Sequence, residues 1–396
     1  MNDFGSCFHT KSADAVDLAK RYITGLLTEV PRKNMERIDE RADAPGAPGA
    51  DNYQRLQQFI SDSPWDEDLL YREITARANG RLGGRPDTLL IIDESAHAKK
   101  GPGSAGAARQ WNGRLGKQDN CQVGVHSVLH CGEHSALIGT RLYLPEEWTD
   151  DAARCRKAGV PEERRECGPL TKIDLAGELI AQALADGARF ACVAFDALYG
   201  RDSVLRRSLT ERGLAYCADI PLSTRVFTEK PLMERRPARI TPATVSVEEH
   251  AAGIMADAGR PARTITLREG ENGLVESRVW SRRVWEWPDE EAAPEELWLI
   301  VREDGRGQLK YSLSNAPADT PLNRLARWQA GRFYVERVFQ DAKSHCGMSQ
   351  YQARGWRAWH HHMALVSLAL LFLMEERLLN PMEYPLLSAA DIVELL

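Results

Sequence analysis

Apolar residues change their spacing several times along the chain, and each change predicts a different kind of structure. Over residues 1–78 they recur at three- and four-residue intervals, in "SADAVDLAKRYITGLL", "YQRLQQFI" and "DEDLLYREITARANGRL", which predicts amphipathic helices. A polar, Pro- and Gly-bearing stretch, "RADAPGAPGADN", breaks this run and reads as a linker. The compact apolar segment "TLLIIDES" then reads as a central strand ending in acid. "CQVGVHSVLHC" and "SALIGTRLYLP" follow as two neighbouring strands, and "KIDLAGELIAQALADG" as a helix. "RFACVAFDALYG" is a buried strand ending in Asp196, "SVLRRSLTERG" a helix, and "LAYCADIP" a further strand. The order β-β-β-α-β-α-β predicts a mixed α/β core with acids at two strand ends.

From about residue 222 to 324 the candidates become short strands between charged or Gly/Pro-bearing turns: "TPATVSVEEH", "ARTITLREG", "LVESRVWSRRVWEW" and "EELWLIVRED". They predict a β-rich insertion. Helical spacing returns in "GRFYVERVFQDAKSHCGMSQ". There Val335, Val338, Phe339 and Ala342 form an apolar face, Arg332, Glu336, Gln340 and Lys343 the other, and Gly347 is the expected stop. A long apolar helix from about Trp356 to Leu378 closes the pattern; its uninterrupted apolar part is too short for a membrane span and is expected to be buried in the protein. The expected divisions are a helical region over 1–86, whose helices suit either contact with DNA or cover for the next domain, the first part of the core over 87–221, the insertion over 222–324, and the final core helices and C-terminal region over 325–396.

With 396 residues, of which 27% are charged and 43% hydrophobic, the chain has enough apolar material for a large core and is not globally disordered. A net charge of -6 excludes a uniformly basic nucleic-acid binder, yet charge is unevenly spread. Between Arg81 and Asn120 four Arg and three Lys stand against three Asp and one Glu. Lys99, Lys100, Arg109, Arg114 and Lys117 carry this excess among glycines, a composition that suits phosphate contacts and equally an ordinary solvated surface. The eight cysteines are dispersed without a CxxC pair and no apolar secretory segment opens the chain, so a reducing cytosol is expected. "GPGSAGAARQ" lacks the spacing of a nucleotide-binding loop. His360, His361 and His362 are adjacent, point around a helix, and are expected to pack, lie at the surface or touch DNA rather than bind zinc. The tryptophans are expected mostly to pack; "VWSRRVWEW" is the best candidate for an exposed aromatic and basic contact with DNA.

Chemistry enters with the acids. A carboxylate after a buried strand must be exposed or compensated. Asp93 taken alone fits a turn or a helix cap, and Glu94 should point away from it, which makes Asp93 the preferred ligand and Glu94 the weaker candidate. Asp93, Asp196 and Glu336 brought together by folding would gather the charge that hard divalent ions offset, a constellation suited to phosphoryl transfer with two magnesium ions. Manganese would substitute. Arg332 and Lys343 would contact phosphate or neutralise the acids, and His97 is expected to support the site rather than bind metal.

The segments "RKNMERIDERA", "RLQQFISDSPWD", "IIDESAHAKKG", "AARQWNGRLGKQDNCQVGV", "RLYLPEEWTD", "FDALYG", "RFYVERVFQDAK" and "YQARGWRAWHHHMAL", in this order, resemble bacterial insertion-sequence transposases of the DDE superfamily, whose catalytic core is ribonuclease H-like. The resemblance implies an α/β, ribonuclease H-like mixed-sheet core interrupted by a β-rich insertion. It also implies Asp93, Asp196 and Glu336 as catalytic and metal-binding triad, and Arg332 and Lys343 as companions of Glu336 on the late helix. Where relatives often carry Tyr this chain has Gln329, and where they carry Thr-Gly-aromatic it has Ser95, Ala96 and His97. The expected function is a magnesium-dependent transposase that cleaves transposon-end DNA and joins 3′-hydroxyl ends to target DNA, with Lys99, Lys100, Arg109, Arg332 and Lys343 contacting DNA. Oligomerisation in a synaptic complex and a cytoplasmic, DNA-associated location accompany it. A noncatalytic DNA-binding regulator and a metal-dependent nuclease are the alternatives.

Overall fold

The helical spacing of the N-terminal part folds into α1 (Val16–Leu27), α2 (Met35–Ala42), α3 (Tyr53–Ser61) and α4 (Glu67–Leu82). The computed structural model describes residues 2–9, 14–28, 32–42, 53–113, 115–235, 238–270, 273–287, 293–379 and 388–395; Arg114 and most of the "RADAPGAPGADN" stretch lie outside the described residues. Leu26, Leu56, Phe59, Leu70 and Ile74 are buried, the face that the three- and four-residue spacing marks. Asp66 caps α4 by accepting from the Asp68 N–H at 2.9 Å, and Glu67 and Asp68 complement the positive end of the helix.

Leu89 to Ile92, essentially without solvent exposure, open the central strand β1 (Leu89–Ala98). β2 (Ala108–Asn112), β3 (Lys117–Cys131) and β4 (His134–Leu142) follow; β3 runs antiparallel to β1 on one side and to β2 and β4 on the other. Three short helices, α5 (Glu146–Thr149), α6 (Ala152–Lys157) and α7 (Glu162–Glu166), lead to α8 (Lys172–Ala185), which a Thr171/Asp174 capping box starts and which packs on β3 and β4. β5 (Cys192–Phe195) then pairs parallel with β1; after α9 (Ala197–Gly200) and α10 (Ser203–Glu211), β6 (Tyr216–Asp219) pairs parallel with β5. The order β4-β3-β1-β5-β6, antiparallel then parallel, is a ribonuclease H-like α/β core behind an N-terminal helical region.

The "TLLIIDES" strand runs further than its expected end at Asp93. Its parallel pairing with β5 stops at Ile92 opposite Phe195, whereas its ladder with β3 continues to Ala98 opposite Cys121. Asp93 therefore lies at a strand end on one side only. β2, in the glycine-bearing stretch, has no periodicity that marks it as a strand.

Residues 222–324 begin with β7 (Arg225–Val226), β8 (Leu232–Arg235), β9 (Ala238–Thr241) and β10 (Val245–Ser246). "TPATVSVEEH" departs from the strand expected of it. After two extended residues it becomes α11 (Val247–Ala256), because Ser246 and Glu249 form a capping box that nucleates a helix. β11 (Arg263–Gly270), β12 (Gly273–Glu286), β13 (Glu295–Glu303) and β14 (Leu309–Ser314) form an antiparallel run that joins the core: β14 pairs with β6, placing Ser312 opposite Asp219. One ten-stranded sheet results.

The chain ends in α12 (Leu322–Gly331), α13 (Tyr334–Ser344), α14 (Trp356–Leu379) and α15 (Ala389–Leu395). Val335, Val338, Phe339 and Ala342 are buried as the spacing requires, and Gly347, at φ +64°, turns the chain beyond α13. Among the described residues no helix is long and apolar enough to cross a membrane. Of the three buried histidines of α14, His361 and His362 pack against the N-terminal part, while His360 packs on Trp356 and Trp359 of its own helix. His361 stacks on Trp65 with ring centroids 3.8 Å apart and reaches the carbonyls of Ile60 and Trp65, while Nδ1 of His362 lies 2.8 Å from the Tyr22 hydroxyl.

Candidate active site

Three elements distant in sequence deliver carboxylates to a single open cavity of about 860 Å³: Asp93 from β1, together with its neighbour Glu94, which was expected to point away, Asp196 from the end of β5 and Glu336 from α13. Asp196 also caps α9, its Oδ1 accepting the Leu198 N–H at 2.9 Å. The cap and the cavity wall are one position, because a strand that ends where a helix begins leaves its last side chain over the sheet edge. Asp93 Oδ1 accepts the N–H of Glu94 at 2.8 Å. Glu94 itself is taken up by Lys172, at 3.0 Å, and by the Tyr199 hydroxyl, at 2.8 Å.

Burial first, and then the neighbouring Asp196, push the Asp93 carboxyl up to about 7, although Arg332 works in the opposite direction. Arg332 stands at the junction of α12 and α13 and is the centre of the local charge balance. Its guanidinium lies 3.1 Å from Asp219, 3.4 Å from Asp93 and 3.7 Å from Glu336. Burial disfavours its charge, but Asp219 and Asp93 outweigh that and hold its pKa above the usual value. Asp219 is fixed in turn by the Ser312 hydroxyl at 2.6 Å, Ser312 by the Gln329 amide at 2.7 Å, and Gln329 by Arg302 at 3.2 Å. Gln329, where relatives often carry Tyr, thus ties the helix ahead of Arg332 to β13 and β14.

The other expected residues fall in different places. Lys343 lines the acidic cavity, its Nζ 5.9 Å from the Phe339 ring centroid. Lys99 lies over the ring of Tyr351, 3.8 Å from its centroid, and burial lowers its pKa to about 8. Lys100 is exposed beside it, and exposed Arg109 lines a separate cavity. His97 shares the Asp93 face of β1, and His126 lies opposite Asp93 on β3; both rings are fully buried, and burial keeps them neutral, His126 down to about 3. In the "VWSRRVWEW" segment Trp280 is buried, Arg282 pairs with Asp257 at 2.9 Å and Arg283 with Glu296 at 3.2 Å, while Trp285 and Trp287 are half-buried. The exposed indole is Trp111, which lines the acidic cavity. Asp219, the 3.1 Å partner of Arg332, is a residue that sequence reasoning misses, although "LAYCADIP" carries the same signal of an apolar run ending in acid.

Hard carboxylate oxygens crowded enough to raise Asp93 fit a divalent cation by donor type. Among the described residues, however, no group of three or more His, Cys, Asp or Glu is close enough to hold a metal ion. The three acids share a cavity rather than a closed coordination shell.

A ribonuclease H-like sheet with carboxylates at its strand ends is the class of fold that the chain adopts. Within that class the chain belongs to the DDE superfamily endonuclease family, whose profile matches residues 3–274. It is similar to a probable transposase for insertion sequence element IS701 of Microchaete diplosiphon, with 32% identity over 178 residues, 44% of this chain and 41% of that protein. The similarity thus spans about two fifths of the relative's length. Membership in the DDE superfamily implies divalent-metal catalysis in general terms.

Proposed function

We propose that the protein is a magnesium-dependent DNA transposase that cleaves transposon ends and joins the 3′-hydroxyl ends to target DNA. The observation that carries this reading is the meeting of Asp93, Asp196 and Glu336 in one open cavity, with Arg332 and Lys343 on its wall. Family membership and the description of the relative from Microchaete diplosiphon support it. Two magnesium or manganese ions held by these carboxylates would supply Lewis acidity to the attacking and leaving oxygens.

The chain's own residues do the rest. Asp93 and Asp196 offer oxygen donors on a rigid sheet, and Arg332 offsets their repulsion. Glu336, whose side chain is 58% exposed, closes the helical side of the cavity. Lys343 and Arg332 orient the phosphate that enters, while Lys99, Lys100 and Arg109 belong to the basic stretch along which the DNA backbone runs. In this reading residues 1–86 contact DNA, 87–221 and 325–396 build the catalytic core, 222–324 are the β-rich insertion, and two transposon ends are managed in an oligomeric synaptic complex.

The test is a cleavage and joining assay on the transposon-end DNA with magnesium. Asp93→Asn, Asp196→Asn and Glu336→Gln should each abolish both steps while leaving the protein folded. One observation favours a rival, a noncatalytic DNA-binding regulator: Arg332 already spans Asp93, Asp219 and Glu336. End binding without cleavage would establish that rival, and cleavage without joining would establish a nuclease.

A further inference from the structure

The acidic cavity has a neighbour of opposite charge. A second cavity of about 730 Å³ is lined by Arg109, Arg154, Lys157 and Arg354, with Glu147 the sole carboxylate among its lining residues. Arg154 is pinned there. Its guanidinium lies 3.8 Å from the Trp148 ring centroid and donates to the carbonyls of Pro102 at 2.9 Å and Ala107 at 3.3 Å. Arg109, Lys157 and Arg354 are exposed. These cations come from β2, α6 and the segment ahead of α14, and their spread suits a row of phosphates better than one small anion.

Two connections join this cavity to the acidic one. Trp111, 57% exposed, lines the acidic cavity and lies two residues from Arg109 on β2. Strand alternation sends both side chains from the same face, about 7 Å apart, close to the rise of two stacked nucleotides at about 3.4 Å each. The second connection is the chain after α13, which lines the acidic cavity at Ser349 and Gln350 and the basic one at Arg354.

We propose that a single strand of DNA leaving the acidic cavity lays a base on the Trp111 indole and sets its next phosphates among Arg109, Arg154, Lys157 and Arg354. This path rests on the reading that the acidic cavity acts on DNA. A single strand is chosen over a duplex because an exposed indole takes the face of an unpaired base, whereas a duplex presents only its phosphates here.

The test uses the full chain carrying Asp93→Asn, so that DNA is bound and not cut, with a fluorescein-labelled oligothymidylate of about twelve nucleotides and its duplex with oligoadenylate titrated across a potassium chloride series. Adding Lys157→Ala and Arg354→Ala together should weaken single-strand binding and lower the slope of log affinity against log salt by about 1.4, at about 0.7 for each lost phosphate contact. Trp111→Ala should weaken single-strand binding about tenfold, and Trp111→Phe should keep most of the affinity while losing the quenching of tryptophan emission on binding. An unchanged salt slope in the double variant, or an equal effect of Trp111→Ala on duplex and single strand, would overturn the path. Parallel cleavage assays without Asp93→Asn separate the two readings. Full cleavage by the Lys157/Arg354 variant sinks the path and leaves the function standing; absence of cleavage by the unmodified chain, with the slope change present, keeps the strand site and removes the catalytic reading.

Discussion

Neutralising Asp93 tests the electrostatics of the site without requiring any DNA substrate. Burial and the proximity of Asp196 raise its carboxyl from the ordinary 3.8 to about 7, even against Arg332. At about 1.4 kcal/mol per pH unit, the ionised form costs the fold at most about 4 kcal/mol relative to the protonated one. The contribution of the protonated carboxyl to stability is fully present below about 3.8 and is lost as pH rises through about 7. Asp93→Asn carries no such titration, so urea denaturation at pH 5 and pH 8 should show the variant gaining on the unmodified protein with pH. At pH 8 the variant should be more stable by about 2 to 4 kcal/mol, the lower part of that range allowing for its weakened pairing with Arg332. Magnesium should narrow the gap by stabilising the unmodified protein, by about 2.7 kcal/mol at one hundred times its dissociation constant, and should leave the variant nearly unaffected. A stability difference that does not vary between pH 5 and pH 8, or an Asn variant less stable at pH 8, would refute the view that Asp93 is a crowded, desolvated carboxylate.

Glu336→Gln, at an exposed position, should change stability by no more than about 0.5 kcal/mol in urea melts while removing metal-dependent cleavage. Arg332→Ala leaves Asp219 and Asp93 without their shared cation and should destabilise by about 3 kcal/mol, with Arg332→Lys recovering only part because it lacks the planar fork. Gly200→Ala should cost about 3 kcal/mol or more, since the added Cβ would overlap the Asp219 carbonyl oxygen, and its thermal transition should fall accordingly. His361→Ala removes the stack on Trp65 and two carbonyl contacts, and calorimetry should register a loss of about 3 kcal/mol through detachment of the N-terminal helices from α14.

The core strands and the strand-end positions of Asp93 and Asp196 are legible because a carboxylate at the end of a buried apolar run is costly unless the chain opens onto solvent or a partner there. The face of α13 was legible from periodicity alone. What periodicity does not carry is partnership. Nothing in the alternation of β11 to β14 says that they extend the core sheet, because the pattern records which face is apolar and not which edge is paired. Interleaved Trp and Arg in β12 looked like an exposed surface, yet Trp280 is buried and Arg282 and Arg283 answer acids on neighbouring elements. Asp219 carried a readable signal, but its significance depends on Arg332, 113 residues away. The cations of the basic cavity come from three separate segments, and no single stretch announces it.

The seam between β6 and β14 is narrow: Ser312 opposite Asp219, and Leu313 opposite Ala218. Slipping β14 by one residue would turn the Ser312 hydroxyl to the far side of the sheet and offer Leu313 to the aspartate in its place. Asn315, which follows at once and is tied to Tyr216, Thr210 and Leu214, pins that frame from beyond the strand, so that in descendants of this gene the spelling of residues 309–315 must keep its frame.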